Sequence, residues 1–116
     1  MAEPIELARR VVDLISDVKG ENIILMDLRE ITPIADYFVI CSGNSDRQLK
    51  AIIQKVTEEV KADGFNIHAR TEGQAEGGWV LIDYGSVVIH AFLPEQRDYY
   101  DLEGLWSHAK TLLRMQ

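Results

Sequence analysis

Residues Trp79–Leu93 read WVLIDYGSVVIHAFL, two short apolar runs separated by a glycine and a serine. WVLIDY (79–84) and VVIHAFL (87–93) are rich in β-branched and aromatic side chains and too short for helices, so both read as strands. Gly85 between them supplies the positive φ that a tight hairpin needs. Alternation then puts Trp79, Leu81 and Asp83 on one face of the first strand, and Val80, Ile82 and Tyr84 on the other. Both faces are apolar. If helices cover only one of them, the other leaves Trp79, Leu81 and Asp83, or Tyr84, exposed in a row. Trp and Tyr are among the residues most enriched at binding hot spots. The plainer alternative is that Trp79 caps the core.

Working outward, a helix is expected from Pro4 to Val18, with proline at its first position, Glu3 and Glu6 at the positive end of its dipole, and Lys19-Gly20 as a stop. Strands follow at Ile23–Leu28 and Tyr37–Ser42; the second, YFVICS, is apolar on both faces and so central. Ser45 and Gln48 form an S-x-x-Q capping box for a second helix that Gly64 closes. A strand is expected at Phe65–Arg70, then a flexible Gly-rich loop, EGQAEGG, at Glu72–Gly78. A last helix over Tyr99–Leu113 buries Leu102, Leu105, Trp106, Ala109, Leu112 and Leu113. The order αββαβββα predicts an α/β fold of the α+β kind, with a mixed five-stranded sheet and helices packed against it. The 116 residues fit one domain, residues 1–116, with no linker or repeat to divide them.

Hydrophobic residues make up 47% and charged residues 27%, a globular composition that excludes wholesale disorder. No apolar run approaches the ~18 residues of a membrane span. MAEPIELARR places acids where a signal peptide needs bases, which implies a cytoplasmic protein, or an organelle-matrix protein after processing. Twelve basic against nineteen acidic residues give a net charge of −7 and argue against phosphate-driven binding to free nucleic acid. The excess is localised. Residues 70–103 hold two bases (Arg70, Arg97) and seven acids, a net of −5, together with Trp79 and three of the four tyrosines. An acidic, aromatic-rich surface suits a basic protein partner. It also suits an ordinary solvated rim.

Residues that could carry chemistry are few. His68, His90 and His108 have no i+4 mate and Cys41 has no Cys-x-x-Cys partner, so no metal and no cofactor is expected. His90, on a strand face with Val88 and Phe92, reads as a hydrogen-bonded core residue, and Cys41 as a small hydrophobe in a strand. There is no G-x-S-x-G elbow, and no catalytic residue is assigned. Ser42-Gly43-Asn44-Ser45 could cradle an anion at a helix N-terminus, but it lacks a P-loop lysine, and the turn and the capping box already explain its residues.

Three runs carry a family resemblance: ADYFVICSGNSDRQ (35–48), GWVLIDYGSVVIHAF (78–92) and RDYYDLEGLW (97–106). In this order and spacing they resemble the ribosomal silencing factor family, also called Iojap-like, and the likeness runs from the first helix to Trp106. The resemblance implies a small α/β protein, similar to the nucleotidyltransferase-like fold, without catalytic activity. It implies a translational repressor that binds the large ribosomal subunit through ribosomal protein number fourteen of the universal large-subunit series. There it blocks joining of the small subunit and slows translation when nutrients are scarce. It further implies a homodimer when free, and large-subunit assembly as the role of organelle forms. By motif, Trp79, Leu81, Asp83 and Tyr84 match the family's contact strand; Asp36, Tyr37, Arg97, Tyr99 and Tyr100 lie in its other recurrent runs. Ser86 departs from the acid that family members often carry after the hairpin glycine.

Two other readings compete. A nucleotidyltransferase-like enzyme would need an Asp-x-Asp pair for two metal ions, and none occurs in the chain. Direct ribosomal-RNA contact would use Arg9, Arg10, Arg47, Lys50 and Lys55 as a local basic stripe, against the overall charge.

Overall fold

A computed structural model describes residues 3–116; Met1 and Ala2, which open the acid-led N-terminus, lie outside the described residues. In chain order the elements are α1 (Pro4–Asp17), β1 (Glu21–Asp27), β2 (Tyr37–Ser42), α2 (Asp46–Ala62), β3 (Arg70–Gln74), a 3-10 turn (Ala75–Gly77), β4 (Trp79–Asp83), β5 (Val87–Phe92), α3 (Pro94–Tyr100), α4 (Leu102–Leu105) and β6 (Lys110–Met115). The six strands form one mixed sheet in the order β3-β4-β5-β2-β1-β6. Its centre is the parallel pair β2–β5, buried at every residue, as strands apolar on both faces should be. All other pairings are antiparallel.

Helices α1 and α2 pack on one face. The α1 stripe of Leu7, Ala8, Val11, Val12, Leu14 and Ile15 is buried, as are Leu49, Ile52, Val56 and Val60 of α2. They meet Ile23, Leu25, Val39, Cys41, Val80, Ile82, Ile89 and Ala91 from the sheet in the main core. Half of the capping box forms as its sequence signals: Ser45 Oγ accepts the Gln48 N–H at 3.1 Å, while Gln48 Oε1 accepts the N–H of Asn44, one residue before the cap, at 2.7 Å. Gln48 Nε2 also donates to the Lys19 carbonyl at 2.7 Å, tying the start of α2 to the end of α1. At the β4–β5 hairpin Gly85 sits at φ +85°, Tyr84 N–H donates to the Val87 carbonyl at 2.9 Å, and Asp83 Oδ1 accepts the Gly85 N–H at 2.7 Å.

The α/β architecture with a mixed sheet stands, but the strand count is six, not five. The strand expected at Phe65–Arg70 is instead Arg70–Gln74, so most of EGQAEGG is strand and 3-10 turn rather than flexible loop. β3 is an edge strand exposed at all five residues, so it needs no apolar pattern. Gly73 takes φ +86°, and a Cβ there would overlap the Trp79 carbonyl oxygen, so glycine lets the two strands approach. The long helix expected over Tyr99–Leu113 is also absent. Pro94 starts a short helix that ends when Asp101 turns to φ +47°, and the Asp101 carboxylate then caps α4 by accepting the Gly104 N–H at 3.1 Å. The chain returns as β6, which pairs with β1 (Leu25 opposite Leu113) and supplies the sixth strand. Leu105, Leu112 and Leu113, expected inside, are 71%, 40% and 38% exposed.

Candidate protein-docking face

The opposite face of the sheet has no long helix. A second apolar cluster forms there from Ile24, Met26, Phe38, Ile40, Val88 and Phe92, with Leu28 and Ala35 from the β1–β2 loop. Among the described residues, α4 and the turn after it cover it lightly, through half-buried Leu102, Trp106 and Ala109. Trp79 and Leu81, on β4 beside the edge strand, are half-buried members of the same cluster. Of the two faces left open by alternation, the exposed one is therefore Trp79–Leu81–Asp83.

Trp79 is the hub of this surface. Its ring lies 5.0 Å from Phe92 at 27° and 4.4 Å from Tyr100, and its indole N–H donates to His90 Nδ1 at 3.3 Å. The polar end of the indole is thus satisfied inward. His90 is buried, and burial pushes its pKa down to about 4 against an opposing pull from Asp83, so the ring is neutral at pH 7. Register places Leu81 directly between Glu72 on β3 and His90 on β5, while Arg70 stands opposite Asp83. Glu72, Gly73, Trp79 and Leu81 line a shallow cleft of about 220 Å³. Tyr99 (82% exposed), Tyr100 and Leu105 carry apolar surface on α3 and α4, and Ile34 does so on the β1–β2 loop.

The other residues singled out by motif lie elsewhere. Tyr84 and Tyr37 are buried on the helix-covered face, packed in the main core, and Tyr37 also lies beneath the Arg29 guanidinium. Arg97, placed by motif among the candidate contact residues, is buried too. Its guanidinium donates to the Asn22 carbonyl at 2.7 Å, to Ser42 Oγ at 2.8 Å and to Glu103 at 2.6 Å. It anchors the segment that covers the second face. Asp36 is half-buried, its N–H bonded to the Ser86 carbonyl at 2.8 Å beside the hairpin. Trp79, Leu81, Asp83, Tyr99 and Tyr100 remain as surface or half-buried groups. Leu105 and Ile34 were not singled out, because one matched the stripe of the expected helix and the other lies in a loop without a motif.

The competing sites fare differently. At the Ser42–Ser45 turn two N–H groups are taken up by side chains of the chain itself, Asn44 by Gln48 Oε1 and Gln48 by Ser45 Oγ. Within the basic stripe, Arg10 pairs with Asp63 and Glu59, and Lys50 with Glu76 at 2.7 Å. Cys41 is fully buried, and desolvation pushes its thiol up to about 12. Among the described residues no group of three or more His, Cys, Asp or Glu could hold a metal ion, and no helix is long and apolar enough to cross a membrane. Larger cavities of about 490 and 610 Å³ flank the loop after α2, around Phe65, Asn66 and Ile67, away from the aromatic face.

Fold and face together define a small α/β protein with one sheet face sealed by helices and the other carrying aromatic side chains under light cover. The chain belongs to the ribosomal silencing factor family: a family model described as "Ribosomal silencing factor during starvation" matches residues 1–116. It is 40% identical over 107 residues to ribosomal silencing factor RsfS of Halalkalibacterium halodurans, covering 92% of this chain and 91% of that one. It is 42% identical over 93 residues to RsfS of Bacillus subtilis, covering 80% and 78%. A crystal structure of a Chromobacterium violaceum protein superposes with a TM-score of 0.85 at 38% identity, covering 91% of this chain and 88% of that one.

Proposed function

We propose that this protein represses translation in the cytoplasm by docking its open sheet face on the large ribosomal subunit, where its bulk keeps the small subunit from joining. The observation that carries this reading is the half-exposed Trp79, stacked on Phe92 and Tyr100. A desolvated aromatic ringed by polar residues is the usual anatomy of a hot spot. Glu72, Glu95, Asp98 and Asp101 stand exposed on the neighbouring elements and favour a basic protein partner over RNA. The family resemblance supports ribosomal protein number fourteen of the universal large-subunit series as that partner. It also supports a homodimer as the free form, whose dissociation would accompany docking. The action is steric and needs no catalytic group.

The test is co-sedimentation with purified large subunits. Truncating a central hot-spot aromatic typically costs ~2–4 kcal/mol of binding. A folded Trp79→Ala protein should therefore lose at least thirtyfold in affinity. Undiminished co-sedimentation by that variant refutes the docking face.

A further inference from the structure

Beneath the open face lies a polar atom for which the described residues provide no partner. His90 is 5% exposed, and its Nδ1 accepts the Trp79 indole N–H. A neutral imidazole that accepts at Nδ1 carries its proton on Nε2 and is a donor there. Nε2 is buried and has no hydrogen-bond partner among the described residues. Such orphans are rare in native proteins and call for a reason. The nearby Phe38 ring, 4.7 Å away at 68°, offers at best a weak π acceptor.

Nε2 belongs to the outer edge of the imidazole, away from the main chain, and the Phe38 ring beside it meets Trp106 of the covering layer, with centroids 5.8 Å apart. That layer is supplied by Leu102 and Trp106. Leucine has no acceptor, and an indole N–H is a donor only. The cover is also light: α4 is four residues long, Leu102 and Trp106 are half-buried and Leu105 is 71% exposed. We propose that residues 101–109 are a displaceable cover, and that His90 Nε2–H, reached once the cover shifts, donates to a main-chain carbonyl of the docked protein. A carboxylate or phosphate is disfavoured as the acceptor, because Asp83 lies on the same sheet face and Asp98, Asp101 and Glu103 lie in or beside the cover. A neutral carbonyl on a loop with a small apolar side chain suits the aromatic walls of Phe38 and Trp79. The donor therefore selects for backbone geometry where the aromatic rim selects only for surface.

The inference rests on the docking reading, and the experiment separates the two. The carboxamide of asparagine overlays Nδ1 of histidine and that of glutamine overlays Nε2. His90→Asn therefore keeps an acceptor for Trp79 and loses the outer donor, whereas His90→Gln keeps the donor. Affinity for purified large ribosomal subunits is measured for both, beside Trp79→Ala. Loss of one hydrogen bond predicts roughly a 3- to 10-fold weaker complex for H90N, and H90Q, which keeps the outer donor but gives up the acceptor for Trp79, recovers part of that loss. A tight H90N complex alongside a failed W79A complex overturns the donor; tight binding by both overturns the docking face itself. Should H90N not fold, backbone amide exchange of the wild-type protein decides. Residues 101–109 exchange faster in the large-subunit complex if the cover is displaced, and unchanged or slower exchange overturns the proposal.

Discussion

Arg97→Met should unlatch the C-terminal segment from the sheet. The aliphatic part of methionine replaces the arginine stem, so the change isolates the guanidinium. In the folded protein that group spans three elements: Asn22 on β1, Ser42 at the end of β2 and Glu103 on α4. Its removal strands the Ser42 hydroxyl, which is 4% exposed, and leaves the Glu103 carboxylate unpaired in a site where its side chain is 30% exposed. Hydrogen bonds from a charged donor contribute about 1.5–3 kcal/mol each, and breaking a buried ion pair costs about 3–5 kcal/mol. Water reaches Glu103 and discounts the second figure. A net loss of about 3 kcal/mol is expected. With an unfolding entropy of about 2.1 cal/mol/K per residue, that lowers Tm by roughly 12 °C. Thermal and urea unfolding measure it, the urea midpoint falling at unchanged slope. Adding Glu103→Gln should recover about 1 kcal/mol, because the stranded charge disappears. A loss under about 1 kcal/mol, or a double variant no more stable than Arg97→Met alone, refutes the latch.

Further expectations concern His90, Cys41 and Gly73. The His90 pKa of about 4 lies below the ordinary value near 6.5, so its contribution is complete above pH 6.5 and disappears as pH falls through 4. The stability difference between wild type and His90→Asn should therefore shrink by about 3 kcal/mol from pH 7 to pH 3.5, read from urea midpoints at each pH; a difference independent of pH contradicts it. Cys41, its thiol pushed up to about 12, should resist a thiol-reactive dye at pH 8 until the protein unfolds, and labelling at the rate of a free thiol contradicts its burial. Gly73→Ala forces a Cβ onto the Trp79 carbonyl at positive φ, so stability should fall by about 1–3 kcal/mol with a blue or red shift in tryptophan emission. Unchanged stability and emission would show that the strands need no close approach there.

What was legible in the sequence follows from where each element sits. The β4–β5 hairpin announces itself because both strands face apolar surroundings and one glycine stands at the turn. α2 announces itself because its cap is made by neighbours in sequence. β3 does not, since an edge strand exposed at every residue is held by β4 rather than by its own pattern. β6 was hidden more actively. Leu102, Leu105, Trp106, Ala109, Leu112 and Leu113 match helical spacing, and what overrides it is pairing with β1, some 90 residues away in sequence. Two local signals opposed a long helix: Pro94 at a first-turn position, like Pro4 in α1, and Gly104 within the expected span. The two faces of β4 were readable by alternation, though not which of them stood open. That depended on the helix layer. The family resemblance carried Arg97, Tyr37 and Tyr84 into the candidate site by motif, whereas their burial is a property of packing.

The order in which the chain is made gives the C-terminal latch a further meaning. Tyr100, which stacks on Trp79, Trp106, which packs against Phe38, and β6, which flanks β1, all follow residue 93. Synthesis proceeds from the N-terminus, so while residues 94–115 are still inside the exit tunnel the second face of the sheet has neither its cover nor its aromatic partner. Until they emerge, Trp79 lacks Tyr100, the ring that stacks on it, and β1 lacks its outer neighbour. Packing of this face is therefore a late event in folding, completed only when residues 94–115 have reached it.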